Sequence, residues 1–275
     1  MTDPQDDHHQ DPSSHPNKKR RLSRGIYLVP SLLTSAALFS GFYSIIYTVN
    51  SVLYHRDEYR NAVIAIILAT FFDSLDGRMA RLMKAESEFG SHFDSIADMV
   101  SFGVAPSVLL YASALSKLGR LGWLAAFLFL ACAAIRLARF NVISHSAPSR
   151  KYFKGLSSPV AAGGAVLFSL LFREYAAPSY YEMGVCGMTM LLALLMVSNV
   201  RFRSFKDLDF RKHPLQVFLL AVLIIIMIAS FGESAMFAFF LMYLIGGLIE
   251  ELVLFRRRRK SDPSVPFLPF GDRDL

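Results

Sequence analysis

The sequence predicts an all-α, polytopic integral membrane bundle of about eight transmembrane helices. Three observations carry that expectation. The 275-residue chain is 53% hydrophobic, with a mean hydropathy of +0.39, too apolar for an ordinary soluble domain. Eight apolar runs approach the ~20 residues that a helix needs to cross the hydrocarbon core. Finally, Lys and Arg, which leave a net charge of +7, gather in short runs between the apolar segments.

In chain order, residues 1–24 are rich in Asp, His, Pro and Ser and then turn basic at Lys18, Lys19, Arg20, Arg21 and Arg24. They read as a disordered cytoplasmic tail. A secretory signal is not expected, because the apolar run that follows is long and shows no small-residue cleavage pattern. One membrane domain is expected over 25–260. Its apolar runs lie near 28–49, 60–83, 91–115, 120–140, 158–173, 182–199, 214–231 and 234–255. The fifth and sixth are short, and the third carries acidic residues. Residues 261–275, with three prolines, read as a second tail.

Charge then orients the set. Basic clusters precede the first run and follow the second (Arg78, Arg81, Lys84), the fourth (Arg136, Arg139, Arg150, Lys151, Lys154), the sixth (Arg201, Arg203, Lys206, Arg211, Lys212) and the eighth (Arg256 to Lys260). With an even number of spans, all of these fall on one side. That side is expected to be cytoplasmic, together with both termini. The basic balance therefore points to an anionic lipid leaflet, and nucleic acid is not an expected partner. Cys132 and Cys186 both lie inside apolar runs and read as packing residues.

The chemistry concentrates in Asp73-x2-Asp76-Gly77-x2-Ala80-Arg81-x8-Gly90-x3-Asp94-x3-Asp98. An ionised carboxylate in hydrocarbon costs roughly 2.5–3.5 kcal/mol on insertion scales. Four carboxylates also repel one another, so something strongly positive is expected among them. With 100° per residue, Asp73, Asp76, Gly77, Ala80 and Arg81 share one helix face. Gly90, Asp94 and Asp98 share a face of the next helix. The small residues permit close approach of a ligand. The carboxylates are hard oxygen ligands suited to Mg²⁺ or Mn²⁺, and Arg81 offers a fork for a phosphate oxygen. Two such ions can clamp a pyrophosphate, and Asp98, one turn past Asp94, is placed to deprotonate an attacking hydroxyl. A plain cluster of helix-end carboxylates paired with Arg78, Arg81 and Lys84 is the alternative. It fits four acids at fixed spacing poorly.

These residues resemble the signature of the CDP-alcohol phosphatidyltransferase family at every specified position. The resemblance implies an integral membrane enzyme that moves a phosphatidyl group from a CDP-linked lipid to an alcohol and releases CMP. Carried over, Asp73, Asp76, Asp94 and Asp98 are metal-site residues, Asp98 is the general base, and Asp76, Gly77, Ala80, Arg81 and Gly90 bind the CDP-lipid. The segments 87–106, 136–141, 152–159 and 196–206 resemble the branch of the family that uses serine. CDP-diacylglycerol and serine are thus the expected substrates, in a bacterial inner membrane, and a homodimer is implied. Glycerol phosphate, inositol phosphate or choline are alternative acceptors, and a divalent-cation transporter is the alternative from another class. Two positions depart from the pattern: Pro30-Ser31 stands where Pro-Asn is usual, and Gly155-Leu156-Ser157-Ser158-Pro159 where Gly-Leu-Pro-Ser-Pro is usual.

Arg136 and Arg139, three apart, share a helix face at the expected depth of the Asp motif. Either one of them holds the acceptor's carboxylate or the lipid phosphate, or they snorkel to the interface. His92 is expected to pack or meet water, and Asn141 and Asn199 to bond helix ends.

Overall fold

A computed structural model describes residues 28–55, 59–83, 85, 87–146, 152–173, 175, 177–203 and 232–261. The apolar run at 214–231 and the two expected tails, Ser261 apart, lie outside the described residues. The order is α1 (Leu28–Leu53), α2 (Tyr59–Leu82), α3 (Glu88–Asp98), a π-helical turn (Met99–Val104), α4 (Ala105–Ser113), a 3-10 turn (Leu115–Leu118), α5 (Arg120–Ser146), β1 (Tyr152–Lys154), α6 (Ser158–Phe172), α7 (Pro178–Val197), β2 (Arg201–Arg203) and α8 (Glu233–Ser261). The described residues are thus helical apart from one short ladder. In it β1 and β2 run antiparallel, with Phe153 opposite Phe202.

Four stretches are long and apolar enough to cross a membrane: Leu28–Leu53, Glu88–Ser113, Arg120–Val142 and Ser179–Val197. They coincide with the first, third, fourth and sixth of the expected spans. α2 has the length but carries Arg60, Asp73, Asp76, Arg78 and Arg81, while α6 and the apolar part of α8 are shorter.

α1 shows what kind of bundle this is. Its buried face is Pro30, Thr34, Ala37, Ser40, Gly41, Ser44, Thr48 and Ser51. Its large residues, among them Leu32, Phe39, Phe42 and Ile46, are exposed. In water that pattern would be inside out. In lipid it is expected, because tails solvate the large apolar side chains and small residues let helix backbones approach. The approach is closest where Gly41 meets Ser101: a Cβ on Gly41 would overlap Ser101. There Ser101 Oγ donates to the Ala37 carbonyl at 3.0 Å.

The apolar core lies behind this layer and joins α2, α4, α5, α6 and α7. Ile66, Phe102, Leu109, Leu110, Phe129, Leu156, Leu192 and Met196 are all fully buried in it. The segment 155–157 is tied into the end of α7. Gly155 N–H donates to Val200 O at 2.8 Å, and Leu156 N–H to Leu195 O at 3.0 Å. Gly155 sits at φ +84°, and a side chain there would run into the Met196 carbonyl, so glycine is required. This clamp seats Ser157 and Ser158 at the start of α6.

Candidate active site

α2 and α3 are joined by a tight connection. Ala85 N–H closes the end of α2 on the Ala80 carbonyl at 2.9 Å. Ser87 then caps α3, its Oγ accepting from Gly90 N–H at 3.0 Å. The reversal turns the acid-bearing face of α2 toward α3, while α1 packs against both helices. One carboxylate oxygen each from Asp73, Asp76 and Asp94 lies within 4.8 Å of the others. Asp98 joins them, its carboxyl within hydrogen-bonding reach of that of Asp73. The motif's four acids therefore form one cluster at one end of the bundle. Asp76 is buried, and Asp73, Asp94 and Asp98 are half-buried.

The donor set and spacing fit a hard divalent cation. Three carboxylate oxygens from two helices converge, without sulfur or imidazole among them. Charge crowding makes the same point. These groups lose much of their hydration and face one another, which is costly unless a cation binds between them.

The surroundings are sorted by tertiary structure. Gly77 is exposed, and a Cβ there would meet nothing within 4 Å, so the glycine leaves open space beside the cluster. Ala80 is half-buried and Arg81 exposed on the same helix. Gly90 has a local duty as well, because a Cβ on it would sit 3.0 Å from the capping Ser87 Oγ. His92 is exposed.

Arg136, from α5, is a cation that interacts with Asp73 and Asp98. Its Nη1 donates to Ser158 Oγ at 2.7 Å, while its Nε is buried and makes no hydrogen bond among the described residues. Arg139 instead donates from Nη2 to Asn199 Oδ1 at 2.9 Å, tying α5 to the end of α7. Two arginines on one helix face thus have different partners. Asn141 bonds Ser95, with Nδ2 donating to Ser95 Oγ at 3.0 Å, and fixes α3 between Asp94 and Asp98.

Sequence reasoning missed two residues. Ser158, buried at the start of α6, holds Arg136. Thr34, from α1, donates to Asp76 Oδ2 at 2.8 Å. The available signal for Thr34 was the stripe of small and hydroxyl residues along an apolar span. Its register against Asp76, 42 positions away, is not legible locally.

The profile of the CDP-alcohol phosphatidyltransferase family matches residues 27–249. The chain belongs to the CDP-alcohol phosphatidyltransferase family. Among curated proteins it is similar to the CDP-diacylglycerol–serine O-phosphatidyltransferase of Helicobacter pylori (strain J99), 35% identical over 230 residues, which cover 83% of this chain and 93% of the relative. The protein of that name from Mycobacterium leprae is 31% identical over 235 residues, covering 84% and 73%. That from Methanocaldococcus jannaschii is 34% identical over 192 residues, covering 70% and 85%. The family is one of phospholipid-synthesising transferases, and its profile spans every element from α1 to the apolar part of α8.

Proposed function

We propose that this chain transfers the phosphatidyl group of CDP-diacylglycerol to the hydroxyl of L-serine, giving phosphatidylserine and CMP. The observation that carries the reading is the convergence of Asp73, Asp76, Asp94 and Asp98 beside open space at Gly77. Serine as acceptor is supported by the names of the relatives.

Asp73, Asp76 and Asp94, with Asp98 beside them, are the residues that would hold Mg²⁺ or Mn²⁺, as one ion or a pair. When bound, the metal supplies positive charge for the pyrophosphate and the departing CMP. Gly77, Ala80, Arg81 and Gly90 border the nucleotide end of the lipid. Asp98 accepts the proton of the serine hydroxyl. The serine oxygen forms a new bond to the phosphorus bearing diacylglycerol, and the bond from that phosphorus to CMP breaks. Arg136, held by Ser158 with its Nε free for a further acceptor, binds an anionic group of the substrates. Arg139 supports the wall of the site through Asn199. In this reading the protein resides in a bacterial inner membrane as a homodimer. The acidic end of the bundle faces the cytoplasm, and α2, α6, the run at 214–231 and the apolar part of α8 complete the count of eight spans.

The test is CMP release from CDP-diacylglycerol by purified protein, given serine, glycerol phosphate, inositol phosphate or choline separately. Release is expected with serine, is silenced by EDTA and returns with Mg²⁺ or Mn²⁺. Release only with another alcohol would replace the acceptor. Full activity in excess EDTA would remove the metal from the reaction.

A further inference from the structure

The geometry points to Thr34 as a positioning residue that sets the Asp76 carboxylate for metal binding; this rests on the metal-bearing site proposed above. Thr34 belongs to α1, which contributes none of the motif's acids. Its Oγ1 lies 2.8 Å from Asp76 Oδ2 and 3.1 Å from the Pro30 carbonyl. A threonine hydroxyl has one proton, so only one of the two can be its main acceptor. A carboxylate is the stronger acceptor and here also the closer one. Pro30 O is already the natural acceptor of α1's own backbone ladder, four residues back from Thr34. The hydroxyl is therefore spare as far as α1 is concerned, and its proton goes to Asp76.

Burial makes this bond hard to replace. Thr34 is 5% exposed and Asp76 4% exposed, so water has little room to substitute for the hydroxyl. Asp76 is the most buried of the four acids, and its carboxylate would otherwise turn about its last side-chain torsion. The Thr34 hydroxyl on Oδ2, together with a hydrogen bond from the Gly77 backbone N–H, fixes the plane of the group. Partners behind a ligand commonly change metal affinity by about 10–100-fold when removed. α1 is itself anchored nearby, where the Ala37 carbonyl accepts from Ser101 and Gly41 packs on the same residue. Thr34 thus sits on a rigid support, and its effect on Asp76 is one of orientation.

The experiment is Mn²⁺ binding to metal-free, full-length protein in detergent, followed by electron paramagnetic resonance, alongside the thermal midpoint without metal. Thr34→Val keeps the shape and removes the hydroxyl. It is expected to weaken Mn²⁺ binding about tenfold or more, with the metal-free protein still folding cooperatively at a modestly lower midpoint, because a buried carboxylate loses one donor. Thr34→Ser is expected to bind like the parent. In an Asp76→Asn background, Thr34→Val should have no further effect on Mn²⁺ affinity. Equal Mn²⁺ affinity of parent and Thr34→Val would overturn the inference and leave the proposed reaction standing. If Thr34→Val fails to fold, Thr34→Ala takes its place with the same expectation, and parent-like affinity there overturns the inference equally. A parent protein that binds no Mn²⁺ would sink the metal site itself, and this role with it.

Discussion

The two ends of the bundle handle polar groups in opposite ways. At the end where α2 starts and α4 and α6 finish, polar side chains satisfy one another. Lys117 pairs with Glu182 at 3.0 Å, and Arg60 with Glu233 at 2.5 Å. Ser113, Ser169 and Tyr181 form a hydroxyl chain with spacings of 3.1 and 2.9 Å, and the Arg173 guanidinium lies over the Tyr59 ring at 5.0 Å. At the other end, four carboxylates crowd together and the buried Arg136 Nε has no hydrogen-bond partner among the described residues. The first end resembles a structure optimised for stability. The second carries a charge-crowding cost that Arg136 and Thr34 offset in part, which is how active sites commonly depart from local energetic rules.

The comparison can be broken most forcefully at Asp98. Asp98→Asn is expected to lower kcat by about 10²–10⁴-fold. The thermal midpoint should hold or rise, because one crowded charge is gone. A collapse in stability together with activity would mean that the acids are structural. Next in size, Arg136→Lys should weaken substrate use, read as a raised KM for serine or for the CDP-lipid, since an ammonium cannot both hold Ser158 and reproduce the guanidinium fork. Arg139→Lys, whose partner is Asn199, should leave both KM values near those of the parent. Equal effects of the two substitutions would erase the distinction drawn between them. The smallest change is expected at the opposite end. Glu182→Ala, which leaves the mostly exposed Lys117 unpaired, should cost about 1 kcal/mol, read as a midpoint lower by about 2–4 °C. Turnover per folded molecule should not change. A parallel loss of turnover would show that the two ends are coupled.

The motif was legible because its spacing is a statement about helices. Offsets of three and four place Asp73 with Asp76, and Asp94 with Asp98, on single faces whatever else the chain does. α2 ends at Leu82 and α3 starts at Glu88, close enough in the chain for the two acid faces to meet. Arg136 and Arg139 were the reverse case. Their shared face left open which of the two reaches the acids; Arg136 turns to Asp73, Asp98 and Ser158, and Arg139 to Asn199. Their partners come from α2, α3, α6 and the end of α7, and no local pattern encodes that. A π-helical turn occupies Met99–Val104, directly after Asp98. Proline at the start of α4 and close packing at Ser101 are the local causes available to the sequence. α1 and α5 both pack against that turn, α1 through Gly41 and the Ala37 carbonyl at Ser101.

The sequence by itself determined the class of protein, the family and the four carboxylates, because hydropathy, charge placement and helical spacing are local properties. Only the tertiary structure decided which groups support those carboxylates. Thr34, Ser158 and Arg136 come from three helices remote in the chain, and their meeting depends on how small residues let those helices approach.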